Sequence, residues 1–126
     1  MPKTPRPTDA ELELLNVLWE LGPSTVRELH DAVQKRKPTQ YTTVLKHLQI
    51  MAEKGLVRRD ESERAHRYEA ARAQAWTQKQ LAGDLLDRAF GGSARTLMMG
   101  ALSAKRASKA ELAEMRRLLD EYEKKR

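Results

Sequence analysis

Residues 39–70 constrain this chain more than any other stretch. Tyr41, Val44, Leu45, Leu48 and Met51 recur at helical spacing, with Gln40, Thr43, Lys46 and His47 on the other side. The run stops at Gly55, where a left-handed cap suits glycine. Two short runs of β character follow, Leu56-Val57-Arg58-Arg59 and His66-Arg67-Tyr68-Glu69, joined by a polar tip from Asp60 to Ala65. A helix that passes directly into a basic hairpin predicts a helix-turn-helix with a β wing, Val57 and the body of Tyr68 lying on the core.

The preceding segment supplies the rest of such a domain. Thr8-Asp9-Ala10-Glu11 has the spacing of a capping box. It opens a helix whose apolar stripe is Leu12, Leu15 and Trp19, widened by Leu14, Leu18 and Leu21, and Gly22-Pro23 ends it. Ser24 or Thr25 can cap a second helix that turns Val26, Leu29 and Val33 inward and Arg27, Glu28, Asp31 and Gln34 outward. Lys35-Arg36-Lys37-Pro38 is the turn before the third helix, which starts near Thr39.

After Ala71 the pattern becomes wholly helical. A fourth helix over residues 71–90 carries Trp76, Leu81, Leu85, Leu86 and Phe90 and breaks at Gly91-Gly92. Ser93 can cap a fifth with Leu97, Met98, Ala101 and Leu102 on one side. Ser108 and Glu111 are spaced as a capping box for a last helix, whose Leu112, Met115, Leu119 and Tyr122 follow a coiled-coil seam. The expected architecture is mainly α with a small β wing: a winged helix-turn-helix over residues 1–71 and a helical dimerisation region over 72–126. Leu85, Leu86, Leu97, Met98, Leu102, Leu112, Met115, Leu119 and Tyr122 are the expected dimer contacts, because three short amphipathic helices have no second layer of their own to cover them. The alternative folds them back on the first domain as one monomeric core.

Composition narrows the chemistry. The chain has 126 residues and no cysteine, which removes disulfides, thiol nucleophiles and thiolate metal sites. No apolar run approaches the ~20 residues that span a bilayer, and residues 1–7 lack the apolar core of a signal peptide, so the expected location is the cytoplasm and no membrane partner is expected. Net charge is +6, unevenly distributed. From Asp9 to Asp31 there are six acids against Arg27 alone, whereas Lys35 to Arg67 holds nine Lys or Arg against four acids. The positive charge thus lies on the segment already assigned to the helix and wing, which suits a polyanion; solvated surface is the plainer explanation of such a run.

The reading implies duplex DNA as partner, the third helix in the major groove and the hairpin beside it on the backbone. Thr39, Gln40, Thr42, Thr43, Lys46 and His47 form the candidate reading face. Gln40 is suited to adenine and Lys46 to guanine O6 and N7, while Thr42 or Thr43 can meet a thymine methyl or a phosphate. Arg64, His66 and Arg67, near the hairpin tip, are candidate phosphate contacts, and strand alternation turns at least one of Arg58 and Arg59 elsewhere. His30, His47 and His66 form no metal-ligand or catalytic spacing, so no metal, cofactor or active site is expected. The rival reading is a winged-helix adaptor that binds protein without sequence-specific DNA binding.

These residues also carry a resemblance. Thr8-Asp9-Ala10-Glu11-Leu12-Glu13 with Val17-Leu18-Trp19, Tyr41-Thr42-Thr43-Val44-Leu45, Glu53-Lys54-Gly55-Leu56-Val57-Arg58-Arg59 and the closing Tyr68 resemble the penicillinase-repressor family. The resemblance implies a homodimer that binds a palindromic operator and represses transcription. In its antibiotic-responsive members a membrane sensor's protease action cuts the dimerisation region, which adds a regulatory protease as a candidate partner. The Asn-Phe bond cut there corresponds to Gly100-Ala101 here, and the cysteine cluster of copper-responsive members is missing. Ile50 stands where many relatives carry arginine.

Overall fold

The computed structural model describes residues 6–126. Residues 1–5, most of the stretch read above for a signal peptide, lie outside the described residues. Two compact units divide the chain, one running to Leu81 and the other from Ala82 to Arg126.

In the first unit, helices α1 (Asp9–Leu21), α2 (Val26–Arg36) and α3 (Tyr41–Lys54) pack with strands β1 (Ser24–Thr25), β2 (Val57–Asp60) and β3 (Arg67–Ala70). The start of α4 (Gln74–Ala89) follows. Both expected N-terminal caps form. The Thr8 hydroxyl accepts from the Glu11 N–H while Glu11 accepts from the Thr8 N–H, and Thr25, not Ser24, makes the same reciprocal pair with Glu28. Leu14, Leu15, Val17 and Leu18 of α1, Val26, Leu29 and Val33 of α2, and Val44, Leu48 and Met51 of α3 make the core, closed by Leu56, Val57 and Tyr68.

The structure corrects the expected stripes at their edges. Leu21 is 52% exposed and Tyr41 45% exposed, while Leu12, Trp19 and Leu45 are only partly covered. Val17 is buried instead, and Leu21, on the same face one turn later, is the last residue of α1. Tyr41 sets its ring 5.7 Å from that of His30, edge to face, so the aromatic body serves the α2–α3 turn.

The wing is a three-stranded antiparallel sheet in the order β1-β3-β2. Its hairpin lies one residue later than the expected runs, Val57 opposing Ala70, Arg58 Glu69, Arg59 Tyr68 and Asp60 Arg67. Ser24 and Thr25 pair with Tyr68 and Arg67 as a third strand. Two residues have no readable strand pattern, and this strand is specified by its partner. Trp19 anchors the segment after the wing, its Nε1–H donating to the Arg72 carbonyl at 2.9 Å, while the Arg72 guanidinium lies 4.7 Å from the Trp76 ring centre.

In the second unit, α4 ends where Gly91 (φ 55°) and Gly92 (φ 78°) turn the chain, the Gly92 N–H donating to the Leu86 carbonyl at 2.9 Å. Helix α5 (Ala94–Ala104) begins at Ser93, whose hydroxyl accepts from the Thr96 N–H, and α6 (Lys109–Lys124) begins at Ser108, which caps Glu111. Neither α5 nor α6 contains a buried residue. Among the described residues no helix is long and apolar enough to cross a membrane.

Candidate nucleic-acid interface

Helix α3 is held at both ends. At its C-terminus Gly55 adopts φ 79°, ψ 17°, a conformation that costs an L-residue with a side chain, and the chain passes straight into β2. One residue earlier Lys54 Nζ donates to both carboxylate oxygens of Glu11 at 2.9 and 3.0 Å, joining α3 to the first turn of α1. Glu11 is 2% exposed. Burial alone would raise its carboxyl pKa; the Thr8 N–H, the Lys54 ammonium and the Thr8 hydroxyl outweigh that and hold it below its ordinary value. This pair was invisible in the sequence, where Glu11 served only as a cap.

At the N-terminus of α3 the backbone of Thr39 is gripped from α2. Gln34 Oε1 accepts from the Thr39 N–H at 2.9 Å, His30 Nε2 lies 2.7 Å from the Thr39 carbonyl, and the Thr39 hydroxyl donates to the Lys37 carbonyl. Gln40 is the N-cap, yet its side chain makes no capping bond.

Thr42, Thr43 and Lys46 are exposed on the side of α3 away from Val44, Leu48 and Met51, and Gln40 is exposed at the N-cap, at the open end of the helix. Thr39 and His47 are half-buried at its margins, and the Thr39 hydroxyl is engaged within the turn. Gln49, absent from the expected set, is exposed and continues the stripe of Thr42 and Lys46 at helical spacing; the signal for it was the same periodicity carried one step further. The side chains of Gln40, Lys46 and Gln49 have no hydrogen-bond or ion-pair partner among the described residues.

The wing sorts its arginines. Arg59 shares the face of Val57 and Tyr68, whereas Arg58, Asp60, Arg67 and Glu69 share the other. Arg58 Nε donates to Glu69 at 3.3 Å, and Arg59 pairs with Glu61. Arg67 lies 3.3 Å from Glu28 and 3.7 Å from Glu63. The Thr25 backbone N–H, then its hydroxyl, then Arg67 hold the Glu28 carboxyl below its ordinary value. Arg67 therefore ties β3 to the start of α2. Arg64 and His66 are exposed in the tip with no such partner among the described residues. The tip itself is shaped by Asp60, which accepts from the Ser62 N–H at 2.9 Å.

Within the second unit, Leu85 (47% exposed), Met98, Leu119 and Tyr122 are open, and Leu86, Leu97, Leu102, Leu112 and Met115 are half-buried. Met99 and Leu118, outside the expected set, are also exposed. The Gly100–Ala101 bond lies inside α5, and a Cβ at Gly100 would stand 3.3 Å from the Phe90 ring.

Residues 7–121 match the family described as penicillinase repressor. The transcriptional regulator BlaI of Mycobacterium tuberculosis, strains CDC 1551 and H37Rv, is 42% identical over 69 residues, which cover 54% of this chain and 50% of the relative. The chain thus spans about half the length of the curated relatives it matches. Two solution structures share a fold with this chain at TM-score 0.52 and 24% identity, each match covering 60% of this chain and 92% of the other. One is the DNA-binding domain of the repressor BlaI; the other is Bacillus licheniformis BlaI in its monomeric form in complex with the blaP half-operator.

Proposed function

The chain belongs to the penicillinase repressor family, and from that premise we infer that it is a transcriptional repressor that binds a palindromic operator in duplex DNA as a homodimer. The observation that carries the reading is the exposed polar surface of α3, the N-cap Gln40 with Thr42, Thr43 and Lys46, on a helix fixed at both ends, together with Arg64 and His66 in the wing, whose side chains have no partner among the described residues. Gln40 reads adenine, Lys46 reads guanine, and the threonines supply methyl or phosphate contacts. Arg64 and His66 hold the flanking backbone and set the register, a term in affinity that weakens as salt rises.

Residues 72–126 supply the two-fold interface. Leu85, Met98, Leu119 and Tyr122 stay exposed in the single chain, and burying them between two copies, at ~1,600 Å² or more, places two reading heads about one helical turn (~34 Å) apart. Occupying the inverted repeat blocks a promoter, which puts the protein's work in the cytoplasm. Release by a regulatory protease would require α5 to open at Gly100–Ala101, beside the Phe90 ring.

Fluorescence anisotropy with labelled DNA from upstream of the chain's own gene and with a scrambled duplex, at two salt concentrations, tests the reading. A repressor binds the upstream duplex more tightly at both. Equal, negligible retention of both duplexes would instead favour an adaptor that docks protein on the same winged helix.

A further inference from the structure

The turn between α2 and α3 is short of backbone pairing. Helix α2 closes with the Lys37 N–H donating to Val33, and the first bonds of α3 run from Thr43 and Val44 to the Gln40 carbonyl. Thr39 lies between them, and both its backbone polar groups go to side chains of α2. His30 and Gln34 are four residues apart and so share a face of that helix, one above the other. Because a carbonyl can only accept, the ring nitrogen 2.7 Å from the Thr39 oxygen must carry the proton, so Nε2–H donates. The same ring meets Tyr41, the first residue of α3, edge to face.

The geometry points to His30 as a positioning residue for sequence reading, with Gln34 as its companion. Lys54 and the buried Leu48 and Met51 fix the far end of α3. The near end carries Gln40, whose side chain spends no bond on capping, and its placement depends on where Thr39 is held. A bidentate contact to a base edge tolerates little displacement, whereas a lysine or arginine on a phosphate follows a small shift at little cost. Removing the His30 donor should therefore cost discrimination between sequences and leave non-specific binding intact. The assignment rests on the DNA-reading role proposed above.

The test uses the full chain and two duplexes of equal length: one enriched by the unmutated protein from a random-sequence pool, and one unselected. His30→Ala is expected to reduce the ratio of the two affinities about tenfold, with the salt dependence of binding to the unselected duplex unchanged. His30→Gln, whose amide can donate to the same carbonyl, is expected to restore most of the ratio, and Gln34→Ala to reduce it in the same direction by less. Should His30→Ala unfold at the assay temperature, the Gln34→Ala and His30→Gln results decide. An unchanged ratio in both alanine variants, or a ratio in His30→Gln as poor as in His30→Ala, would overturn the assignment while leaving the repressor reading in place. If the unmutated chain enriches no sequence, the repressor reading itself fails, and this assignment with it.

Discussion

The two units place their apolar side chains in opposite ways. In the first, three helices and a small sheet enclose a core in which Leu29, Leu48 and Met51 have no exposed surface. In the second, α5 and α6 bury no side chain fully, although Leu112, Met115, Leu119 and Tyr122 repeat as regularly as any stripe in the first. Periodicity is the same signal in both, and what differs is whether a second layer exists within one chain. The first unit has the means to be rigid alone, which a reading surface requires. The second leaves Leu85, Met98, Leu119 and Tyr122 open, the surface that the proposed homodimer would cover.

The sharpest way to break that contrast is to truncate one residue in each. Leu48→Ala should lower the unfolding free energy by about 3 kcal/mol, because the cavity lies at the centre of a closed core. This is read by denaturant titration. The expected large loss distinguishes a packed interior from a loose one.

Next in size is the buried pair that ties α1 to α3. Lys54→Met leaves the Glu11 carboxylate without its cation and should cost about 2–3 kcal/mol at neutral pH, less than a fully enclosed pair because the lysine side chain is 29% exposed. The pH dependence follows from the lowered Glu11 pKa. Ionised Glu11 stabilises the folded chain, a contribution complete above its ordinary value of 4.5 and lost as pH falls through the lower folded value. The variant should show a flatter acid limb in thermal melts from pH 6 to pH 3.

In the second unit, Leu119→Ala should weaken self-association about tenfold, close to 1.4 kcal/mol. It should leave the unfolding of the first unit unchanged. Sedimentation equilibrium reads the first effect and denaturation of the dilute protein the second.

Smaller effects separate base readers from electrostatic support. Lys46→Ala should lose about 1 kcal/mol of preference for the selected sequence. Arg64→Ala should weaken all sequences alike and reduce the salt slope by roughly one unit. Arg67→Ala should reduce that slope less, since Glu28 and Glu63 already neutralise its guanidinium. Binding isotherms over a salt series would rank the three.

Local chemistry was legible in the sequence. Thr8 and Glu11, Gly55, Gly91-Gly92 and Ser93 act within a few residues of themselves, and each marks a helix end as its composition suggests. The winged-helix order was legible too, because a helical period changes to a strand period at Gly55. What escaped was set by residues distant in sequence. Glu11 and Lys54 are 43 positions apart, and Arg67 and Glu28 are 39 apart. The edges of a stripe escaped for another reason: spacing gives the centre of a buried face but not its width, so Leu21 and Tyr41 looked interior and Gln49 was passed over. His30 was weighed as a metal ligand and set aside, when its spacing from Gln34 on the helix before Pro38 was the pattern that mattered.

One polar helix flank, presented twice, is proposed to read duplex DNA. Sequencing the duplexes that the full chain enriches from a random pool tests it most directly. The account predicts an inverted repeat whose half-site centres lie about ten base pairs, or a multiple of that, apart. Recovery of unselected sequence, or of a lone half-site with no spaced partner, would contradict it.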